Sequence, residues 1–308
     1  MDLFSGAARL PLAQRPGLSV SLIIPTYNEA RRISKTISLL RAEFRGQPSV
    51  ELIFVDDGSR DGTPDVISAN IRDWPAARLI RIPWNQGKGA AIKAGVGLAR
   101  NARLVFMDAD LSSDLADLPP LIAALDDADV VLGSRSIAGA KVSYTRDRSL
   151  RKVQSKFFNG FACALAGIVA SDTQCGFKAF RADSAKLLFH LVEGKGFAFD
   201  VEVLALAQLL DFRVVEIPIR WVEAEGTTVR PVRDPLIMIR DLLRTRRRCR
   251  QLERVSGRFV WESSEAPFET ERVLDEDEDE TEDLSAVTAP DDARSVMIDL
   301  PESPSAAG

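Results

Sequence analysis

The alternation of short apolar runs with amphipathic stretches constrains the fold of this chain more than any other feature. Between residues 20 and 132, runs rich in β-branched residues alternate with stretches of helical periodicity. The predicted strands are 20–24, 51–55, 79–82, 104–107 and 130–132, and the predicted helices are 31–43, 64–73, 89–99 and 115–126. This order predicts right-handed crossovers and an α/β fold, in which helices cover both faces of a mostly parallel sheet.

Each predicted strand is followed by a polar or turn-rich segment. These segments are 25–29 (PTYNE), 56–59 (DDGS), 85–89 (NQGKG), 108–110 (DAD) and 133–135 (GSR). Parallel strands end at one edge of their sheet, and ligands of open α/β sheets bind beyond that edge. The five segments therefore predict a single site.

Two carboxylates separated by one residue follow the fourth predicted strand. Carboxylate oxygens favour hard cations, and both Asp108 and Asp110 could reach one Mg2+ or Mn2+ ion where the strand ends. A diphosphate would fill the open positions of such an ion, which makes the diphosphate a better leaving group. Asp114 is better explained as the cap of the helix that follows.

Other common sites do not fit the chain. A Walker loop needs glycine five residues before Gly87, where Ile82 stands. The one histidine, His190, lies in an apolar helical stretch and is predicted to be a helix-face residue rather than a catalyst. The three cysteines lack zinc or disulfide spacing, which indicates a reducing, cytoplasmic compartment.

The five segments follow one another as they do in glycosyltransferase family 2, the inverting enzymes with a GT-A fold, which the chain resembles over about residues 18–225. Three later segments, 172–180 (DTQCGFKAF), 199–202 (FDVE) and 215–221 (VEIPIRW), look like the dolichyl-phosphate β-glucosyltransferase and polyprenyl-phosphate glycosyltransferase branch, alongside dolichyl-phosphate mannose synthase. The resemblance implies transfer of a hexose or N-acetylhexosamine from a nucleotide-diphosphate sugar, a UDP-sugar rather than GDP-mannose, to polyprenyl phosphate. The product would be a sugar donor for cell-envelope glycan synthesis.

The resemblance also implies roles for residues of the donor site. Pro25, Tyr27, Glu29 and Asp57 would contact the base and ribose, Lys88 would lie near the donor, and Asp108 and Asp110 would hold Mg2+ or Mn2+ on the diphosphate. Mannose synthases have Gln two residues beyond the second Asp, where this chain has Ser112. Ser112 in place of Gln leaves Asp108 and Asp110 as the two predicted protein ligands of the ion. Asp110 is also predicted to be catalytic.

The chemistry of the acceptor predicts cations at the site. A phosphate monoester is largely dianionic at neutral pH, so it needs positive charge to orient it rather than a base to deprotonate it. The candidates for binding this phosphate are Arg135, Arg148, Arg151 and Lys178, with Arg135 also predicted as catalytic. Asp172 could act as a base toward a hydroxyl acceptor, or else order the Cys175–Gly176 turn or an acceptor-binding cation.

Charge is distributed unevenly along the chain. The net charge is −5, yet residues 262–308 hold 16 Asp and Glu against two Arg, and a run of arginines precedes them. We therefore predict an N-terminal extension (1–17), a catalytic domain (18–230), a basic amphipathic helix (231–258) and a disordered acidic tail (259–308).

Membrane contact is predicted to be peripheral. The longest nearly apolar run, 157–170, has 14 residues, whereas a span needs about 20. A helix at 149–170 could lie at the headgroups, or could instead be a buried core helix. Together with the basic helix, the helix at 149–170 predicts attachment to anionic lipid at the inner face of the cell membrane. The chain could also form homo-oligomers.

Three other functions are compatible with parts of the sequence. A family 2 transferase could act on a soluble or glycan hydroxyl. A product that does not extract into lipid solvent would distinguish this function from transfer to polyprenyl phosphate. The arginine run permits nucleic-acid binding, although no RNA-module motif accompanies it and nucleic acid is not expected as a partner. A regulatory pseudo-transferase is disfavoured by the intact Asp108 and Asp110.

Overall fold

The computed structural model describes residues 19–144, 159–196, 198–223, 233–263 and 295–297. Its main sheet has eight strands in the order β10-β3-β2-β1-β4-β7-β5-β8. These strands are β1 (Val20–Thr26), β2 (Val50–Asp57), β3 (Ala77–Ile82), β4 (Arg103–Met107), β5 (Val130–Ser134), β7 (Phe177–Arg181), β8 (Val214–Pro218) and β10 (Ser295–Met297). A second sheet pairs β6 (Lys141–Ser143) with β9 (Arg220–Val222) in parallel.

Helices connect most of these strands. They are α1 (Ile33–Phe44), α2 (Thr63–Ile71), α3 (Lys88–Leu98), α4 (Leu118–Ala123), α5 (159–166), α6 (Ala182–Leu191), α7 (Phe199–Leu209) and α8 (Arg233–Ser263). The predicted helix 115–126 was wrong as one element, because α4 is flanked by 3-10 turns at Leu115–Asp117 and Ala124–Asp126. Pro119 and Pro120 lack the N–H that a continuous helix needs, and both lie in the first turn of α4, where the N–H groups have no partner within the helix.

Two hydrophobic clusters lie on opposite faces of the main sheet. Alternate residues of β1 divide between them: Leu22 and Ile24 pack with α1, α2 and α4, whereas Ile23 packs with the other face. The second cluster contains side chains of α3 and of α5 to α8. The predicted α/β fold, a mostly parallel sheet covered on both faces, is confirmed.

Strand β7 runs against its neighbours. It is antiparallel to both β4 and β5, whereas the other pairs of the main sheet are parallel. Phe177, its first residue, lies opposite Met107, the last residue of β4. The segment before β7 therefore reaches the same edge of the sheet as the segment after β4.

The two predicted membrane helices are partly packed in the core. In α5, Ala162 and Cys163 are buried, while Phe161 and, beyond the helix, Val169 face solvent. In α8, Leu242, Thr245 and Cys249 are buried. Residues 149–158 of the predicted interfacial helix lie outside the described residues. Nothing in the described ranges forms a helix long and apolar enough to cross a membrane.

The acidic tail is described only in part. Helix α8 continues to Ser263, past the predicted boundary at residue 258. Ser295–Met297 add a parallel strand beside β3 at the sheet edge. Residues 1–17, 264–294 and 298–308, on which the predicted extension and most of the predicted disorder fall, lie outside the described residues.

Candidate active site

The five polar segments meet at one edge of the main sheet, here called the carboxyl edge: the loops after β1, β2, β3, β4 and β5. Thr26 lies opposite Asp56, and Asp57 lies opposite Ile82, so the ends of the first three strands are level. The hydroxyl of Thr36 on α1 donates to the carbonyl of Ala109 at 2.6 Å, which fixes the loop after β4 against this group. The single site predicted from the loops has the expected topology.

Asp108 lies beside Lys88. The Lys88 Nζ is 2.6 Å from Asp108 Oδ1, and the Asp108 side chain is 40% exposed. Burial lowers the pKa of the Lys88 ammonium, but the charges of Asp108 and Asp200 outweigh burial, so the pKa is raised. A Cβ at Gly176 would overlap the Asp108 carboxylate, so the present position of that carboxylate depends on glycine at 176.

Asp110 is oriented by the residue that departs from the mannose synthase pattern. The Ser112 N–H and hydroxyl donate to Asp110 Oδ1 at 3.0 and 2.8 Å. Arg32 has a raised pKa, owing first to its hydrogen bond with Glu29, with a smaller contribution from the charge of Asp110. Ser112 therefore serves as a hydrogen-bond donor to the second aspartate of the pair.

The two aspartates form an incomplete cation site by themselves. Among the residues that the structure describes, no group of three or more His, Cys, Asp or Glu side chains could hold a metal ion. Mg2+ is commonly held by one or two carboxylates together with substrate phosphates. The partly exposed Asp108 and Asp110 fit an ion of that kind, whose sphere a diphosphate would complete.

The residues predicted to contact the nucleotide differ in exposure. Tyr27 is exposed at the mouth of the site and Pro25 is half-buried in β1. The Glu29 N–H donates to Thr63 Oγ1 at 2.8 Å, and its carboxylate is paired with Arg32. Direct contact of these side chains with a nucleotide stays a prediction.

Asp57 anchors the loop after β3. Its carboxylate accepts the N–H groups of Gln86 and Gly87 at 2.8 and 2.7 Å. Only 3% of the residue is exposed, and this burial raises its pKa to about 6. Asp57 therefore shapes the loop that carries Lys88, and its predicted contact with the nucleotide is untested.

The glycines of segment 85–89 serve backbone packing. Gly87 has φ +99°, and a side chain there would overlap the carbonyl of Lys195. The Gly89 N–H donates to the same carbonyl oxygen at 2.9 Å. The start of α3 is thus docked against residues 194–196.

Arg135 and Asp172 form a bidentate ion pair at the carboxyl edge. Arg135 Nε is 2.7 Å from Asp172 Oδ2 and Nη2 is 2.9 Å from Oδ1, while the Trp221 ring lies 5.3 Å from the guanidinium carbon. Burial would raise the pKa of Asp172, but the hydrogen bonds and charge of Arg135 lower it overall. Of the three predicted roles, ordering of a cation fits this geometry, because both carboxylate oxygens contact Arg135.

Two residues that the sequence did not single out fix the loop that carries Asp172. Glu216 on β8 accepts the N–H groups of Ser171 and Asp172, each at 3.0 Å. Asn159 on α5 accepts from the Thr173 N–H at 2.9 Å and hydroxyl at 2.7 Å. The signal for Glu216 was present, because it lies in segment 215–221.

Lys178 was wrongly predicted to bind the acceptor phosphate. Its side chain is fully buried, and its Nζ lies 2.6 Å from both Asp200 Oδ1 and the Cys175 carbonyl oxygen. An ammonium enclosed in this way cannot contact a substrate phosphate. Arg148 and Arg151, the other two predicted phosphate ligands besides Arg135, lie outside the described residues.

Comparison with known proteins identifies the family. Residues 21–189 match the family model described as "Glycosyl transferase family 2". The chain is 32% identical to human dolichyl-phosphate beta-glucosyltransferase, over 74% of this chain and 75% of the relative. It is 34% identical to undecaprenyl-phosphate mannosyltransferase of Micrococcus luteus, over 68% of this chain and 85% of the relative.

Solved structures support the fold. Glucosyl-3-phosphoglycerate synthase from Mycobacterium tuberculosis, crystallised with Mn2+, UDP and glucosyl-3-phosphoglycerate, superposes with a TM-score of 0.55. The match covers 74% of this chain and 78% of the synthase at 21% identity, so it bears on the fold alone. The family match and the relatives show that the chain is a glycosyltransferase of family 2, in the branch of the dolichyl- and polyprenyl-phosphate glycosyltransferases.

Proposed function

We propose that the protein transfers a hexose or N-acetylhexosamine, with inversion, from a UDP-sugar to polyprenyl phosphate. The observation that carries this proposal is the bidentate pair of Arg135 and Asp172 at the carboxyl edge. It supplies a fixed cation where the acceptor would meet the donor, and it leaves Asp172 poorly suited to remove a proton. The named relatives, which are dolichyl-phosphate and undecaprenyl-phosphate transferases, favour the same acceptor class.

On the donor side, the residues of the first four loops would bind and orient the nucleotide-diphosphate sugar. Tyr27 is exposed where it could stack on a base, and Lys88 would contact the diphosphate. Asp108 and Asp110 would hold Mg2+ or Mn2+, which when bound neutralises charge on the departing diphosphate. Asp57 would keep the loop of Lys88 in place through its two backbone hydrogen bonds.

On the acceptor side, a phosphate monoester brings its own charged nucleophile. Its second pKa is about 6, so it attacks the anomeric carbon without a general base. An efficient base has a pKa near the working pH, whereas the pKa of Asp172 is held low by Arg135. Arg135 can bind and orient a phosphate oxygen while Asp172 and Trp221 keep its guanidinium in place.

A polyprenyl phosphate lies in a bilayer, so the protein would bind the membrane peripherally at its inner, cytoplasmic face. The outer side of α8 carries the exposed Arg240, Arg244, Arg247 and Arg250. Each cation near an anionic surface contributes about 1 kcal/mol to membrane binding. Vesicle sedimentation should show binding that requires anionic lipid and weakens with salt.

Radiolabel transfer tests the proposed activity. Detergent-solubilised protein is given a panel of UDP- and GDP-sugars, undecaprenyl or decaprenyl phosphate, and Mg2+ or Mn2+. Label is expected in the organic phase from a UDP-sugar and not with EDTA or in Asp110→Asn. Asp126→Asn, which breaks a surface pair with Arg103, is the matched control and should retain activity.

Two outcomes would contradict parts of the proposal. Transfer of label only to a soluble glycan hydroxyl would move the acceptor to the hydroxyl class and leave the fold and family unchanged. Full activity in EDTA, or in Asp110→Asn, would remove the divalent ion from the mechanism.

A further inference from the structure

Arg248 differs from the other arginines of α8 in its environment. It faces the protein, where its Nη1 lies 2.9 Å from Glu202 Oε1 and its Nη2 lies 3.2 Å from Glu193 Oε1. The Glu202 side chain is 6% exposed, and that of Arg248 is 23% exposed. Arg248 thus supplies the countercharge of a buried carboxylate on α7.

Glu202 in turn fixes a loop. Its carboxylate accepts the N–H groups of Glu193 and Gly194 at 3.2 and 2.7 Å. A Cβ at Gly194 would lie 2.6 Å from Glu202 Oε2, so a side chain at this position would push the carboxylate away. The conformation of residues 193–196 therefore depends on Glu202.

The same loop holds the start of α3, beside Lys88. The Lys195 carbonyl accepts the Gly89 N–H at 2.9 Å, and the Lys195 Nζ lies 3.4 Å from Gln86 Oε1. A Cβ at Gly89 would lie 2.6 Å from the Gly194 carbonyl oxygen. The Gly194 backbone and the Phe199 side chain thus lie directly against Gly89, so we expect a shift of residues 193–196 to displace the start of α3.

We propose that Arg248 is a positioning residue for the donor site, acting through Glu202 and residues 193–196 to hold Lys88 against Asp108. Lys88 lies between Gly87 and Gly89, the two glycines that contact Lys195. These contacts fix the backbone of Lys88 and therefore the position of its Nζ. The proposal rests on the proposed function only for what Lys88 does to the donor. It connects α8 to the active site through Glu202 and residues 193–196.

The variants should remain folded. Lys93 of α3 donates to the carbonyls of His190 and Val192 at 3.3 and 2.9 Å, which keeps α3 and the end of α6 together when Arg248 is changed. Arg248→Met removes the charge. Arg248→Lys keeps the charge but can pair with only one of the two carboxylates. Arg103→Met, the control, removes an arginine from a distant ion pair. Thermal unfolding of each variant checks that the fold is retained.

Amide hydrogen exchange tests the connection without any ligand. In glycine-labelled protein followed by NMR, Arg248→Met should accelerate exchange at Gly194 and Gly89 by about tenfold, because their acceptors lose support. Arg248→Lys should recover part of the protection, and Arg103→Met should match the wild type. Unchanged exchange at Gly89 in Arg248→Met would overturn the proposal.

Nucleotide binding then tests the consequence at the site. With Mn2+ present, Arg248→Met should weaken UDP binding by about three- to tenfold in the wild-type background and not at all in Lys88→Met. An equal loss in both backgrounds would show that Arg248 does not act through Lys88. If wild-type protein binds neither UDP nor GDP, the proposed function fails, and the exchange result alone decides whether Arg248 positions the loop.

Discussion

Lys178 and Asp200 form an ion pair of 2.6 Å in which neither side chain is more than 5% exposed. Such a pair is costly to break from one side, because the remaining charge stays in the core. Lys178→Met should therefore lower the free energy of unfolding by about 3–5 kcal/mol. The double variant Lys178→Met/Asp200→Leu should regain most of that loss in urea denaturation. A double variant less stable than Lys178→Met would show that the pair is net stabilising.

The variant Asp172→Asn tests whether Asp172 orders Arg135 or acts as a general base. The substitution removes the countercharge of Arg135, and misplacement of the guanidinium should lower the transfer rate by about 100-fold. The shape of the pH–rate profile should stay the same, because no proton is taken by Asp172. Asp126→Asn, in a surface pair, should leave the rate unchanged. Loss of one limb of the profile in Asp172→Asn would instead identify Asp172 as a base.

Gly176→Ala probes the orientation of Asp108. A Cβ at this position would overlap the Asp108 carboxylate, so the carboxylate must rotate or the backbone must move. Mn2+ binding in the presence of UDP should weaken by about tenfold or more. Gly97→Ala is the matched control, because a Cβ there meets nothing within 4 Å. In the helix α3 that substitution should stabilise the protein by up to about 1 kcal/mol and leave ion binding intact.

Asp57 should make stability depend on pH. Its pKa is raised from 3.8 to about 6 by burial, so the folded protein retains a proton that the unfolded chain has released between these values. The contribution of this group to stability therefore falls as pH rises through that window. Relative to Asp57→Asn, wild-type protein should lose about 2–3 kcal/mol between pH 4 and pH 7 in urea denaturation. A difference that is constant across this range would show that the pKa is not raised.

The local elements of the first half could be predicted from the sequence because their signals are local. Strands β1 to β5 and helices α1 to α3 lie within a few residues of their predicted positions, since apolar periodicity changes from helix to strand at each turn-rich segment. The direction of β7 was not predicted. A strand buried on both faces has the same apolar pattern in either direction, so only its neighbours in the sheet determine its orientation.

The predicted site residues that follow a strand lie at the carboxyl edge, whereas the one that lies inside a strand is buried in the core. Asp108, Lys88 and Arg135 follow or flank loops of the carboxyl edge. Lys178 instead lies within β7, and its burial is tolerated because Asp200 arrives from α7, 22 residues later. Lys178 and Asp200 lie in separate segments of the sequence, and their contact could not be predicted from these positions.

Because β7 is reversed, two separate lengths of chain approach the same point from opposite directions. The loops after β1 to β4 bring the predicted donor contacts, whereas residues 171–176 come to the carboxyl edge immediately before the reversed strand begins at Phe177. The proposed acceptor side of the site, with Asp172, is therefore built from a different part of the chain than the loops that would bind the nucleotide sugar.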